Sequence, residues 1–162
     1  MGSILILGSS RSLWDDVAWI RNTLSPTYDT MAINFAGLFY DKPLDHWASL
    51  HGELLEELYD LRSSRKKPFK ECTTLHYADM YPEHFRLGCS GLFATKIALE
   101  LGYNTIYLAG CELDGKGHFY DPPWISGYCE NLGGTIGYWA SLEHLFKNKT
   151  IVPLSGRLLE LC

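Results

Sequence analysis

Two short runs of small residues have the make-up of anion-binding loops. Gly8-Ser9-Ser10-Arg11 follows an apolar run and precedes a helical stripe, and Gly88-Cys89-Ser90-Gly91 opens a second helical stripe. The first amides of a helix have no partner inside it, and glycine lets a ligand close on them. Ser9, Ser10 and Ser90 add hydroxyl groups, and Arg11 adds a positive charge. Asn34, His51, Glu112 and Asp114 stand at or just beyond the ends of other strand-like runs. His118 follows the acidic pair, and Trp124 follows Pro122-Pro123 in a loop, where an indole can stack on a base. The expected ligand-binding set is Gly8, Ser9, Ser10, Arg11, Asn34, His51, Gly88, Cys89, Ser90, Gly91, Glu112, Asp114, His118 and Trp124. Its chemistry is that of a phosphorylated ligand held between two loops. Either loop alone also fits an ordinary strand-to-helix turn, since neither is a full G-x-G-x-x-G or a Walker loop.

If the ligand is turned over, Glu112, Asp114 and His118 are the groups to carry metal or proton transfer. Asp114 and Asp121 are oxygen ligands of the kind Mg²⁺ takes alongside nucleotide phosphates, and the same acids also fit hydrated turn caps. His46 and His51, five apart on a strand, face opposite ways and make a poor zinc pair. No Ser-His-Asp order is identifiable, so a serine nucleophile is not expected.

The elements that position these groups follow from periodicity. Ile4-Leu5-Ile6-Leu7 is a continuous apolar run, as in a central strand covered on both faces. Leu13, Val17, Ile20 and Leu24 form a helical stripe behind Ser12, with Asp15 and Asp16 in the first turn. Thr30–Asn34 and Trp47–His51 read as strands, Glu53–Leu61 as a helix with Leu54, Leu58 and Leu61 on one face, and Glu71–Leu75 as a weak strand. Ala94, Ile97, Ala98 and Leu101 mark a helix ended by Gly102, and Thr105–Ala109 a buried strand. Residues 115–131 read as a long binding loop, Ile136–Phe146 as a last helix and Ile151-Val152 as a last strand. The alternation predicts one α/β domain over residues 1–162, a Rossmann-like three-layer sandwich on a mainly parallel sheet of five or six strands. In such a sheet, ligands bind beyond the carboxyl ends of the strands, near the point where strand order reverses.

The run Gly88-Cys89-Ser90-Gly91-Leu92-Phe93-Ala94, then Ala98-Leu99-Glu100-Leu101-Gly102-Tyr103, then Ile106-Tyr107-Leu108-Ala109-Gly110-Cys111-Glu112-Leu113-Asp114, resembles a G-S-S-G-rich helix followed by an L-G-strand-G-x-D/E-L pattern. That pattern is similar to the Rossmann-like DUF115 and archaeal 6-hydroxymethylpterin pyrophosphokinase group. Small phage members belong to it, and bacterial sialyltransferases carry a similar unit. His118-Phe119-Tyr120-Asp121 and Asp45–His51 also resemble the phage members. The likeness is best over residues 86–121 and weaker over 1–51. It implies a nucleotide or nucleotide-sugar ligand. The function expected from loops and likeness together is binding of a nucleotide-derived anion, in a phage setting the sequestration of a host immune nucleotide. The alternative is a nucleotide-dependent transferase, pyrophosphokinase-like or sialyltransferase-like, with Mg²⁺ as its conceivable cofactor. Cys89 in place of serine and the short first loop depart from the pattern.

Composition narrows the partners. Of 162 residues, 46% are hydrophobic and 20% charged, enough for a packed core. The net charge of −5 argues against a nucleic-acid polymer as partner. The positive charges Arg62, Arg65, Lys66, Lys67 and Lys70 fall in one short acid-free stretch, read as a solvated loop or a cationic rim. Cys72, Cys89, Cys111, Cys129 and Cys162 are odd in number with no C-x-x-C, which fits neither a disulfide framework nor a zinc site. With no signal peptide and no membrane-length apolar run, a cytoplasmic protein is expected, and its many aromatics suggest a homo-oligomer.

Overall fold

The computed structural model describes residues 2–24, 27–64, 74–83, 89–124 and 132–162, with 132–134 described by backbone alone. Gly88, Cys72, Cys129 and the basic residues Arg65, Lys66, Lys67 and Lys70 lie outside the described residues.

Ile4, Leu5, Ile6 and Leu7 are fully buried in β1 (Ser3–Leu7). Burial on both faces follows from the two-residue period of a strand: Ile4 and Ile6 join one core, Leu5 and Leu7 the other. The remaining strands are β2 (Tyr28–Ile33), β3 (His46–Ser49), β4 (Thr74–Tyr77), β5 (Thr105–Ala109) and β6 (Ile151–Pro153). They form a six-stranded sheet in the order β4-β3-β2-β1-β5-β6, every pair parallel. This is the Rossmann-like α/β sandwich that the alternation predicts.

The helices are α1 (Leu13–Thr23), α2 (Ala36–Phe39), α3 (Gly52–Ser63), α4 (Ser90–Glu100), α5 (Leu132–Ala140) and α6 (Glu143–Lys147). Phe93 and Ile97 of α4 pack on the Ile4–Ile6 face, beside Trp139 and Phe146. Leu13, Val17 and Ile20 of α1 pack with Leu55 and Leu58 of α3 on the Leu5–Leu7 face, around Trp47. Each such side chain taken from water contributes roughly 1.5–3 kcal/mol.

The structure shifts several element bounds. β3 stops at Ser49, so His51 is the residue before α3; β4 is described over Thr74–Tyr77, which includes Thr74 and Leu75 of the expected strand, and 71–73 lie outside the described residues. The single helix expected over 136–146 divides into α5 and α6 around Ser141-Leu142. The buried face of α3 is Leu55, Leu58 and Arg62, whereas Leu61 is half exposed. Arg62 turns that face inward. Its Nη1 and Nη2 donate to the carbonyls of Gly37, Tyr40 and Lys42, so one planar fork clamps the chain around α2. Arg62 is therefore neither a rim charge nor solvated, contrary to the reading of the basic stretch. Among the described residues, no helix is long and apolar enough to cross a membrane.

Candidate functional site

Strand order reverses between β1 and β5, since β1 leads through α1 to β2 on one side while α4 leads to β5 on the other. At that point the two strand ends must approach closely. A Cβ on Gly8 would strike the Gly110 carbonyl and come within 2.7 Å of Cys111 Sγ. Gly110 has a φ of +63°, and a Cβ there would lie 2.9 Å from Leu13 Cβ. Beyond these glycines opens a cleft of about 280 Å³.

Four segments wall it: Gly8–Ser10 after β1, Ile33-Asn34 at the end of β2, Cys89–Gly91 at the start of α4, and the loop after β5 at Gly110, Cys111 and Leu113–His118, with Trp139 of α5 alongside. Of the expected set, Gly8, Ser9, Ser10, Asn34, Cys89, Ser90, Gly91, Asp114 and His118 come together here. Two of the three non-glycine residues with positive φ among the described residues, Asn34 (+46°) and Leu113 (+52°), are on its walls. Such conformations cost of order 1–3 kcal/mol each and persist where a site needs them.

Three sets of polar atoms at the cleft have no hydrogen-bond partner among the described residues. The N-cap of α4, Cys89, makes no side-chain capping bond, and the first amide bond of the helix is Phe93 N to Cys89 O. The amides of Ser90, Gly91 and Leu92 thus have no acceptor among the described residues. Trp139 is 1% exposed, yet its indole Nε1 has no partner among the described residues. Its Cζ2, next but one to Nε1 round the ring, lies 3.6 Å from where a Cβ on Gly91 would stand. Asn34 gives its Nδ2 to Ser90 Oγ at 3.3 Å and leaves Oδ1 buried without a donor. A buried polar atom left unpaired costs about 1–3 kcal/mol, so Trp139 Nε1 and Asn34 Oδ1, beside the open amides of α4, are groups a ligand can satisfy.

The other expected anion loop is closed. The amide of Ser12 donates to the Glu112 carboxylate at 3.2 Å, and the Glu112 amide donates to Ser10 Oγ at 3.2 Å. Buried Asp16 accepts from Gly110 N at 2.8 Å and from the Ser155 hydroxyl at 2.7 Å, with Ser12 Oγ 2.8 Å from Ser155 Oγ. Negative charge at the start of α1 is thus built in, which satisfies the helix dipole and excludes a second anion. Glu112 is a cap, not a cleft residue. Arg11 is likewise not a ligand arm: its guanidinium donates to the carbonyls of Lys116 at 2.8 Å, Pro122 at 2.9 Å and Asp121 at 3.4 Å. It ties down the 116–122 loop that walls the cleft. His51, exposed before α3, and Trp124, 82% exposed, also lie off the cleft walls.

His118 has a fixed partner that spacing alone did not reveal. Asp121 Oδ2 accepts from the His118 amide and from its Nδ1, both at 2.8 Å. The His118 amide bond, then the ring bond and its charge, hold the Asp121 carboxyl below the usual carboxylate range. With the proton on Nδ1, Nε2 carries the lone pair, the state of a general base. The ring stacks on Tyr120 at 4.9 Å, and the Ser10–His118 bridge fixes its backbone to the β1 loop. Burial pushes the Asp114 carboxyl up, but bonds and charge from Lys116 outweigh it and hold it low; Lys116 Nζ lies 2.8 Å from its Oδ2. Asp114 and Asp121 are each engaged with a neighbour, and among the described residues no three His, Cys, Asp or Glu side chains gather as a metal site. Burial pushes the Cys111 thiol well up, in keeping with a small buried hydrophobe.

The glycines at 110, 115 and 117 after β5 are a sequence signal for this wall, the first-turn position of Asp16 does not show its partners, and nothing in the sequence marks Ser155.

No family model matches the chain, and no curated protein matches it. Among solved structures, it is similar to the sialyltransferase CstII from Campylobacter jejuni, in complex with the substrate analogue CMP-3FNeuAc. The TM-score is 0.57 at 17% identity, over 95% of this chain and 80% of that one. The likeness is one of fold.

Proposed function

We propose that this chain binds a nucleotide-type anion, a nucleotide sugar or its nucleotide, in the switch-point cleft. The phosphate would lie against the first turn of α4, with the Trp139 indole N–H and Asn34 Oδ1 taking an acceptor and a donor of the ligand. The observation that carries this reading is the convergence of those unspent groups on one cleft. A fold shared with a protein solved with a nucleotide-sugar analogue supports it, as does the resemblance of residues 86–121 to the pyrophosphokinase-like group.

The His118–Asp121 pair favours transfer over mere holding. In a glycosyl transfer, the sugar–phosphate C–O bond breaks and the nucleotide leaves with the electron pair. An acceptor hydroxyl forms the new C–O bond and passes its proton to His118 Nε2. Sequestration of a nucleotide without turnover, the phage-type role, is the competing outcome.

One experiment separates them. The purified protein is titrated with mononucleotides and with CMP- and UDP-sugars by thermal shift, and the same mixtures are followed for released nucleotide. Stabilisation with time-dependent release, lost in His118→Gln, supports transfer. Stabilisation with the nucleotide recovered intact supports sequestration. No stabilisation by any of them overturns the binding reading itself.

A further inference from the structure

Outside the cleft lining, five side chains from four parts of the chain join in series: Asp29 and His46 at the amino ends of β2 and β3, Tyr103 before β5, His76 within β4 and Tyr81 after it. Tyr81 Oη lies 2.9 Å from His76 Nδ1 on β4, and His76 Nε2 lies 3.1 Å from His46 Nδ1 on β3. His46 Nε2 lies 3.1 Å from Tyr103 Oη, and that hydroxyl donates to Asp29 Oδ2 on β2 at 2.6 Å. None of these groups belongs to the cleft.

The end of the series sets the direction of every proton. A carboxylate only accepts, so Tyr103 spends its proton on Asp29 and its oxygen must accept from His46 Nε2–H. A neutral imidazole carries one N–H, which leaves His46 Nδ1 a lone pair to accept from His76 Nε2–H. His76 Nδ1 then accepts from the Tyr81 hydroxyl. Each ring has a single tautomer, with hydrogen on Nε2.

We infer that this directed chain is an acid-sensitive clasp, closed while both rings are neutral and reversed at its Tyr81 link by one added proton. A proton gained by His76 places N–H on the atom that accepts from Tyr81. A proton gained by His46 places N–H opposite His76 Nε2, and His76 must move its own proton to Nδ1, with the same result. Tyr81 follows β4 and packs edge-on against Phe93 of α4 at 5.8 Å. The clasp therefore pins the chain where it leaves β4 to the helix whose first turn walls the cleft.

The surroundings keep both rings neutral. Burial lowers His46, although Asp45 and Asp29 pull it back. Burial and then the charge of His46 lower His76 to about 4. Tyr81 faces Glu100 of α4 and Glu83, and burial followed by those charges raises it. Burial and then Asp29 raise Tyr103, so neither phenol ionises near neutrality. The unfolded chain takes up these protons near the ordinary histidine value of 6.5, before the folded chain does. Stability is thus intact above that pH and is lost as pH falls from it toward 4.

The test uses ¹⁵N-labelled full-length protein and thermal unfolding from pH 8 to 5. Ring ¹⁵N spectra at pH 7.5 are expected to show His46 and His76 neutral and both protonated on Nε2, assigned by single His→Gln variants. The wild type is expected to lose about 5 °C more in Tm between pH 7 and 5 than the double variant His46→Gln/His76→Gln, whose amides can bond but do not titrate. Equal slopes in the two proteins overturn the clasp. So does an Nδ1–H tautomer, or a charged ring, at pH 7.5 in the wild type, and this readout decides the matter if the double variant does not fold. Neither readout depends on a ligand.

Discussion

Asn34 serves backbone and cleft at once. Its carbonyl accepts from Trp47 Nε1 at 2.8 Å and from the Gly37 amide at 3.3 Å, while its φ of +46° turns the side chain from β2 toward Ser90. Glycine adopts that φ without a penalty and keeps both backbone bonds. Asn34→Gly is therefore expected to leave the urea-unfolding free energy within about 1 kcal/mol of wild type. The nucleotide dissociation constant, read by calorimetry, should rise about tenfold or more through loss of Oδ1 and Nδ2. An unchanged affinity would remove Asn34 from the ligand's partners. His118 and Asp121 divide differently. His118→Gln removes a proton acceptor and should slow nucleotide release by roughly 10²–10⁴ while binding persists. Asp121→Asn should slow it less, because the ring remains but its tautomer is no longer fixed by a carboxylate. Initial rates beside dissociation constants check both, and equal rates in wild type and His118→Gln would leave the dyad without a chemical role.

At the scale of elements, the two helices that face the switch point have opposite fates. Both start with small residues, and from the sequence both offer amides to an anion. At the start of α1 the Ser12 amide meets a carboxylate already on the chain, Glu112 from the β5 loop, and Asp16 of the first turn takes the Gly110 amide of that same loop. In α4 no acceptor is described. Local pattern exposes the loops and the strands, since a run such as Ile4–Leu7 has one reading and its carboxyl end is where parallel sheets bind. It cannot tell which polar group at a strand end faces outward and which is taken by a neighbour, because Glu112 is 100 residues from Ser12 and they meet only after the sheet forms. Trp139 was hidden for the same reason: its neighbours at Gly91 come from another helix. Asp16→Ala is expected to cost about 3 kcal/mol or more in urea unfolding, since it strands the Gly110 amide and the Ser155 hydroxyl in the interior. Arg11→Met acts on one loop. Its three carbonyl bonds hold residues 116–122, so amide exchange there should quicken with the global unfolding midpoint nearly unchanged. Protection of 116–122 equal to wild type would show that the aromatic contacts of Phe119 with Trp14 and Phe39, each 5.3 Å, suffice without it.

For the molecule as a whole, the sheet supplies stability while the cleft withholds some. The central strands and the two cores bury most of their apolar groups, but the Trp139 N–H and the Asn34 oxygen, unpaired among the described residues, and the positive φ of Leu113 all subtract from the free protein. A ligand that satisfies these groups binds the folded chain and not the unfolded one, so it must raise the unfolding free energy by about 2.7 kcal/mol at a hundredfold excess over its dissociation constant. For a chain of this size each kcal/mol moves Tm by about 2–4 °C, which predicts a rise of roughly 5–10 °C. That rise should be nearly the same in His118→Gln, whose change touches proton transfer, and much smaller in Asn34→Gly at the same nucleotide concentration. The comparison uses one instrument and three proteins. If Asn34→Gly shifts as far as wild type, the stabilisation comes from somewhere other than the switch-point cleft, and the unpaired groups there belong to the folding of the chain and not to its ligand.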